Sequence, residues 1–197
     1  MATALVVSFL GETSAGKSHT IRELMAEGES RPFCQDASEQ NKATTFNVNL
    51  YPCASLVPGA TVNLVDYEGE NGSDTPVMAA ARALRLTGPG KSRHQAVAEF
   101  FPKLAYTTSD VLVMVSRQPF FNRDYLTRCV ELAKRANAGV HNVDQPALIL
   151  VGNKIPGQEC VLDVKQSTQQ FYDAWGEEAN ELDRYFSVVV CIYMPHK

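Results

Sequence analysis

Three short stretches of this chain carry residue types whose spacing could do chemistry. Residues 11–18 read GETSAGKS, with Gly11 and Gly16 enclosing four residues and Lys17 and Ser18 directly after. The pattern GxxxxGK[ST] forms a loop whose backbone N–H groups turn inward around phosphate oxygens, with the positive end of the next helix behind them. In such a loop Lys17 reaches the outer phosphates and the Ser18 hydroxyl goes to Mg²⁺. Gly11, Glu12, Thr13, Ser14, Ala15, Gly16, Lys17, Ser18 and His19 are therefore the expected phosphate-side contacts. The second stretch is Asp66-Tyr67-Glu68-Gly69, at the end of the apolar run TVNLV. There Asp66 would help hold Mg²⁺, usually through water, and the Gly69 amide can approach a γ-phosphate because no side chain blocks it. The third is Thr44-Thr45, just before the alternating run Asn47 to Tyr51. A threonine in that place offers its hydroxyl to Mg²⁺ and its backbone to the γ-phosphate and attacking water. Thr44 is preferred over Thr45 because two residues then separate it from the strand. The expected metal set is Ser18, Thr44 and Asp66.

These residues need rigid elements to position them. Strand-like runs recur at Ala4–Leu10, Phe46–Tyr51, Thr61–Asp66, Val111–Ser116, Ala147–Gly152 and Phe186–Tyr193. Helical spacing lies between most of them. Ile21, Leu24 and Met25 precede Gly28, where a helix would end in a left-handed residue. Val97, Phe100, Phe101 and Leu104 repeat the spacing, as do Leu126, Val130 and Ala133, then Phe171, Trp175, Ala179 and Leu182. The aromatic residues in these runs read as packing positions. Alternating strands and helices predict an α/β fold of three layers, with a mostly parallel six-stranded sheet covered on both faces. The whole span 1–197 reads as one domain. Polar, aperiodic stretches at 29–45, 68–76 and 87–93 read as loops. No helix follows the last strand, which is unusual for this architecture and leaves truncation at the C-terminus open.

Composition narrows the function. A net charge of −4 gives no overall basic field for a nucleic-acid backbone, and none is expected as a partner. No apolar run approaches the roughly 20 residues that cross a bilayer, although peripheral membrane contact stays open. The apolar start, Ala4 to Leu10, is short and runs straight into GETSAGKS, so it reads as a strand and not as a signal peptide. The 5 cysteines are scattered, odd in number and never in a CxxC pair, which fits a reducing compartment such as the cytoplasm. His19, His94, His141 and His196 have no metal-ligand spacing, and there is no GxSxG elbow. Gly90-Lys91-Ser92 is a decoy, because no glycine stands five residues before Gly90 and no apolar strand leads into it. Arg82, Arg85, Lys91 and Arg93 around it read as a solvated face.

The run PALILVG leads into Asn153-Lys154-Ile155-Pro156, which resembles the NKxD element of GTP-binding domains. That resemblance makes Asn153 and Lys154 base-side contacts. Pro156 stands where the guanine-reading Asp would be and cannot accept its hydrogen bonds, so either Glu159 or Asp163 substitutes or base selectivity is relaxed. Taken in order, GETSAGKS, the TT before FNVNLY, DYEG and NK resemble the GTPase domain of the dynamin and guanylate-binding-protein superfamily, a P-loop NTPase. GETSAGKS is similar to the dynamin form GxxSAGKS, which implies a catalytic role for Ser14 beside Lys17 and Thr44. DYEGENG is closer to guanylate-binding proteins. The resemblance implies Mg²⁺-dependent hydrolysis of GTP to GDP and a nucleotide-dependent homodimer through the G domain. It supplies no helical stalk for membrane remodelling. Glu70 stands where Ras-like GTPases have glutamine, and Glu68 or Glu70 are alternatives for orienting water, although both also read as solvated loop carboxylates. Two rival readings are a nucleotide-dependent switch with slow turnover and an ATP-using P-loop enzyme.

Overall fold

The computed structural model describes residues 4–32, 34, 48–69, 100–118, 123–138, 144–155 and 162–195. Thr44, Thr45, Glu70, Pro156, Glu159 and the GPGKS decoy lie outside the described residues. In chain order the elements are β1 (Ala4–Gly11), α1 (Lys17–Leu24), β2 (Val48–Cys53), β3 (Thr61–Tyr67), α2 (Phe101–Thr108), β4 (Val111–Ser116), α3 (Arg123–Asn137), β5 (Ala147–Ile155), α4 (Val164–Trp175), α5 (Glu177–Asn180), a single 3₁₀ turn (Leu182–Arg184) and β6 (Val189–Pro195).

The strands form one sheet in the order β2-β3-β1-β4-β5-β6. All neighbours are parallel except β2, which runs antiparallel to β3 at the edge. Successive side chains of a strand point to opposite faces, and here both faces are apolar. Phe9, Leu64, Val113, Val115 and Val151 face one side, where Ile21 of α1 and Met25 just after that helix cover them. Leu10, Leu112, Met114, Leu148 and Leu150 face the other, against Tyr106 of α2, Cys129 and Ala133 of α3, and Phe171 of α4. The expected three-layer α/β architecture with a six-stranded, mostly parallel sheet is thus observed. The order reverses at β1, with β3 on one side and β4 on the other, and a crevice opens there at the carboxyl ends of the strands. In open α/β sheets this is where ligands bind.

Several boundaries differ from the sequence reading. Helix α1 stops at Leu24, before Gly28, because Met25 turns extended and buries its side chain in the core. The Arg31 guanidinium then takes the exposed carbonyls, donating to Met25 O at 2.6 Å and Ala26 O at 3.1 Å. The long helical period from Phe171 to Leu182 is broken at Gly176 (φ 49°) into α4, α5 and the 3₁₀ turn. Strand β6 starts at Val189, not Phe186. Phe186 is still buried, but it enters the core from the turn, where its N–H bonds Leu182 O at 3.0 Å. Phe100, read as a packing residue, is 58% exposed because it precedes α2, and Phe101 takes the inward place beside Tyr67. No helix among the described residues is long and apolar enough to cross a membrane.

Candidate functional site at the ends of β1, β3 and β5

Residues 12–16 leave β1 and curl back to start α1. Ala15 N–H bonds Glu12 O at 3.2 Å, and Thr20 N–H bonds Gly16 O at 2.9 Å. Ser14 and Gly16 both take left-handed backbone (φ 64° and 99°), the kind of conformation from which anion-binding nests of backbone N–H groups are built. Gly16 has no substitute here. A Cβ on it would sit 2.1 Å from Asn153 Nδ2, besides meeting the positive φ. Asn153 needs that closeness, since its Nδ2 donates to Ala15 O at 2.8 Å and ties the end of β5 to the loop. Lys154, next to it, is exposed and has φ 59°, a strained setting for a non-glycine residue of the kind that collects at functional sites.

Lys17 is buried to 6% exposure, and its Nζ donates to Gly11 O at 3.1 Å and Glu12 O at 2.9 Å. The ammonium is therefore held over the start of the loop by two carbonyls. Ser18, one residue on, donates its hydroxyl to Asp66 Oδ2 at 2.6 Å. Asp66 is fully buried, and Phe9 of β1 lies level with it in the sheet. Burial, and after it the negative charge of Asp66, hold the Tyr51 phenol above its ordinary value.

The segment after Asp66 returns to the loop. Thr13 Oγ1 donates to Gly69 O at 3.1 Å, and a Cβ on Gly69 would lie 2.5 Å from the Thr13 nitrogen. Only glycine permits that approach. The sequence-predicted loop residues Gly11 to Ser18 thus meet Asp66, Gly69 and Asn153 through hydrogen bonds, and Lys154 follows Asn153 at the surface. His19 is exposed on α1. Of the two carboxylates considered as substitutes for Pro156, Asp163 caps α4 and accepts from Gln166 N–H at 2.8 Å. Two contacts were not expected from sequence, namely the Thr13–Gly69 bond and an ion pair between Glu12 and Arg128 of α3.

The donor set at Ser18 and Asp66 is a hydroxyl and a carboxylate in contact, both hard oxygen donors. Mg²⁺ takes a few such protein oxygens together with water and phosphate oxygens, so these residues fit that ion.

No protein-family model matches the chain, and no curated protein matches it in sequence. Among solved structures, one similar to it is the crystal structure of bacterial selenocysteine-specific elongation factor EF-Sec, at 11% identity and a TM-score of 0.49. That match covers 98% of this chain and 26% of the other, so this chain spans about a quarter of that protein's length. A likeness of this strength fixes neither ligand nor reaction.

Proposed function

We propose that the chain binds GTP with Mg²⁺ and hydrolyses it to GDP and phosphate, as a G domain of the dynamin and guanylate-binding-protein type. The observation that carries this reading is that three distant motif elements meet the loop 11–18: Asp66 on the Ser18 hydroxyl, Gly69 on Thr13, and Asn153 on Ala15.

In this reading the N–H groups of residues 14–18 hold the phosphates together with the start of α1, and Lys17 moves its ammonium from the Gly11 and Glu12 carbonyls to share the outer phosphates. Ser18, Asp66 and Thr44 would hold Mg²⁺, which when bound neutralises charge that builds on the phosphates. Thr44 and the Gly69 amide orient the water that attacks the γ-phosphorus in line with the leaving oxygen. Ser14 helps organise the transition state, as the resemblance implies. Little covalent chemistry is needed from the protein, so positioning and electrostatics account for the rate. Asn153 and Lys154 support the base. The resemblance adds a homodimer formed through the nucleotide-binding faces, and a reducing compartment, the cytoplasm, suits cysteines of which Cys34, Cys53, Cys129 and Cys191 form no disulfide.

The test is a titration of the chain with fluorescent GTP in Mg²⁺ and in chelator, with unlabelled ATP and GTP as competitors, followed by phosphate release. Binding displaced by GTP and not by excess ATP, lost in Lys17→Ala, supports the reading. Equal displacement by ATP assigns the site to an adenine-tolerant enzyme instead, and no binding at all rejects a nucleotide site.

A further inference from the structure

Glu12 puts a carboxylate inside the loop that, on the reading above, receives a polyphosphate. A negative charge there repels the ligand and attracts the Lys17 ammonium, which already rests on Glu12's own carbonyl at 2.9 Å. In this structure the carboxylate is engaged elsewhere. Arg128, projecting from α3, donates to Glu12 Oε1, and the two side chains are 35% and 31% exposed. The pair lies in a cleft of about 120 Å³ between the loop, the end of β4 and α3, whose floor is Met114, Val115 and Leu132. Glu131, the other carboxylate on that cleft, pairs along the helix with Arg135 at 3.3 Å.

We propose that Arg128 is a positioning residue that acts through Glu12. By cancelling and fixing that carboxylate, it keeps the loop receptive to polyphosphate and tunes how strongly the site prefers a triphosphate to a diphosphate. The inference rests on the nucleotide reading. It assigns to α3 a part in ligand affinity although α3 supplies none of the motif residues. Repulsion scales with ligand charge, so losing Arg128 penalises GTP more than GDP, and salt screens the difference.

The experiment measures dissociation constants of fluorescent GTP and GDP in Mg²⁺ for the wild type, Arg128→Ala, Arg128→Lys, Glu12→Gln and the Arg128→Ala/Glu12→Gln double variant, at low and high salt. The melting temperature is recorded for each. Arg128→Ala is expected to weaken GTP binding by about 1.5-fold to fivefold, the range of a partly exposed ion pair, with a smaller loss for GDP and both losses shrinking in salt. Arg128→Lys keeps most of the affinity. Glu12→Gln moves the other way and tightens GTP, and the double variant returns towards the wild type. A bridge that is only structural makes both single variants weaker alike, because each breaks the same contact, and that outcome overturns the inference. If Arg128→Ala does not fold, the sign of the Glu12→Gln effect decides. Wild-type binding with an unchanged constant in Arg128→Ala sinks this inference alone, whereas failure of the wild type to bind either nucleotide removes the nucleotide reading and this inference with it.

Discussion

Ser18 and Asp66 show how much one side-chain contact can hold at this site. The hydroxyl donates at 2.6 Å to a carboxylate that is fully buried, and a charge-assisted bond of this kind is worth more than a neutral one. Ser18→Ala is expected to destabilise the ligand-free chain by about 1–3 kcal/mol, because a buried acceptor loses a donor. It should also make nucleotide affinity insensitive to Mg²⁺. Urea unfolding and titrations with and without chelator check the two effects, and a variant that keeps its Mg²⁺ dependence removes Ser18 from the metal set. Gly69 makes a different point at the same scale. Gly69→Ala would push a methyl to within 2.5 Å of the Thr13 nitrogen, so the segment must back away from the loop. A displacement of about 1 Å can cost about a hundredfold in rate, so phosphate release should fall by that order while GDP binding changes little. Single-turnover assays separate the two, and equal loss of GDP binding would mean that Gly69 shapes the pocket and not the reacting end.

At the scale of elements, one carboxylate clips the turn after α1 to the β2–β3 hairpin. Glu29 accepts from Ala54 N–H at 2.9 Å, Ser55 N–H at 3.3 Å, the Ser55 hydroxyl at 2.9 Å and Ala26 N–H at 2.8 Å. The Ala54 N–H is the main cause that lowers its carboxyl from 4.5 to about 2, against a partial opposing push from burial. A folded value below the unfolded one means that the charged form is favoured by folding. Its contribution is therefore complete above pH 4.5 and is lost as pH falls towards 2. Glu29→Gln should be less stable than the wild type at neutral pH, and the gap should close across that window. Urea midpoints measured against pH test this, and a gap that stays constant down to pH 2 would assign the effect to packing.

The same elements show what sequence can reveal. Strand β1, the start of α1 and the Ser18–Asp66 meeting were legible because a fixed motif dictates local geometry and the apolar runs were long enough to specify strands. Gly176 was not, since α4, α5 and the following turn keep one apolar period across the break. Phe186 looked like strand because it is aromatic and buried, yet it is buried from a turn. Thr13–Gly69 and Glu12–Arg128 join positions far apart in the chain, and no periodicity within a window reports such pairs.

Over the whole molecule the loop 11–18 is where the two apolar layers are tied together. Asn153 brings β5 to it, Asp66 brings β3, Arg128 brings α3, and Ser18 belongs to the α1 layer. A ligand seated there contacts parts of the chain that meet only in the folded state, so binding must raise global stability through mass action and not merely order a loop. At a hundred times its dissociation constant a ligand adds about 2.7 kcal/mol, and for a domain of this size each kcal/mol moves the melting temperature by about 2–4 °C. GTP or GDP with Mg²⁺ should therefore raise the melting temperature by about 5–11 °C. Lys17→Ala should show little rise, because the ammonium proposed to share the outer phosphates is gone while the fold keeps its other contacts. Differential scanning calorimetry at several ligand concentrations measures the effect, which must grow with the logarithm of concentration. A rise of equal size in Lys17→Ala would locate the ligand away from the loop, and a second transition that ignores ligand would show that the two layers unfold apart.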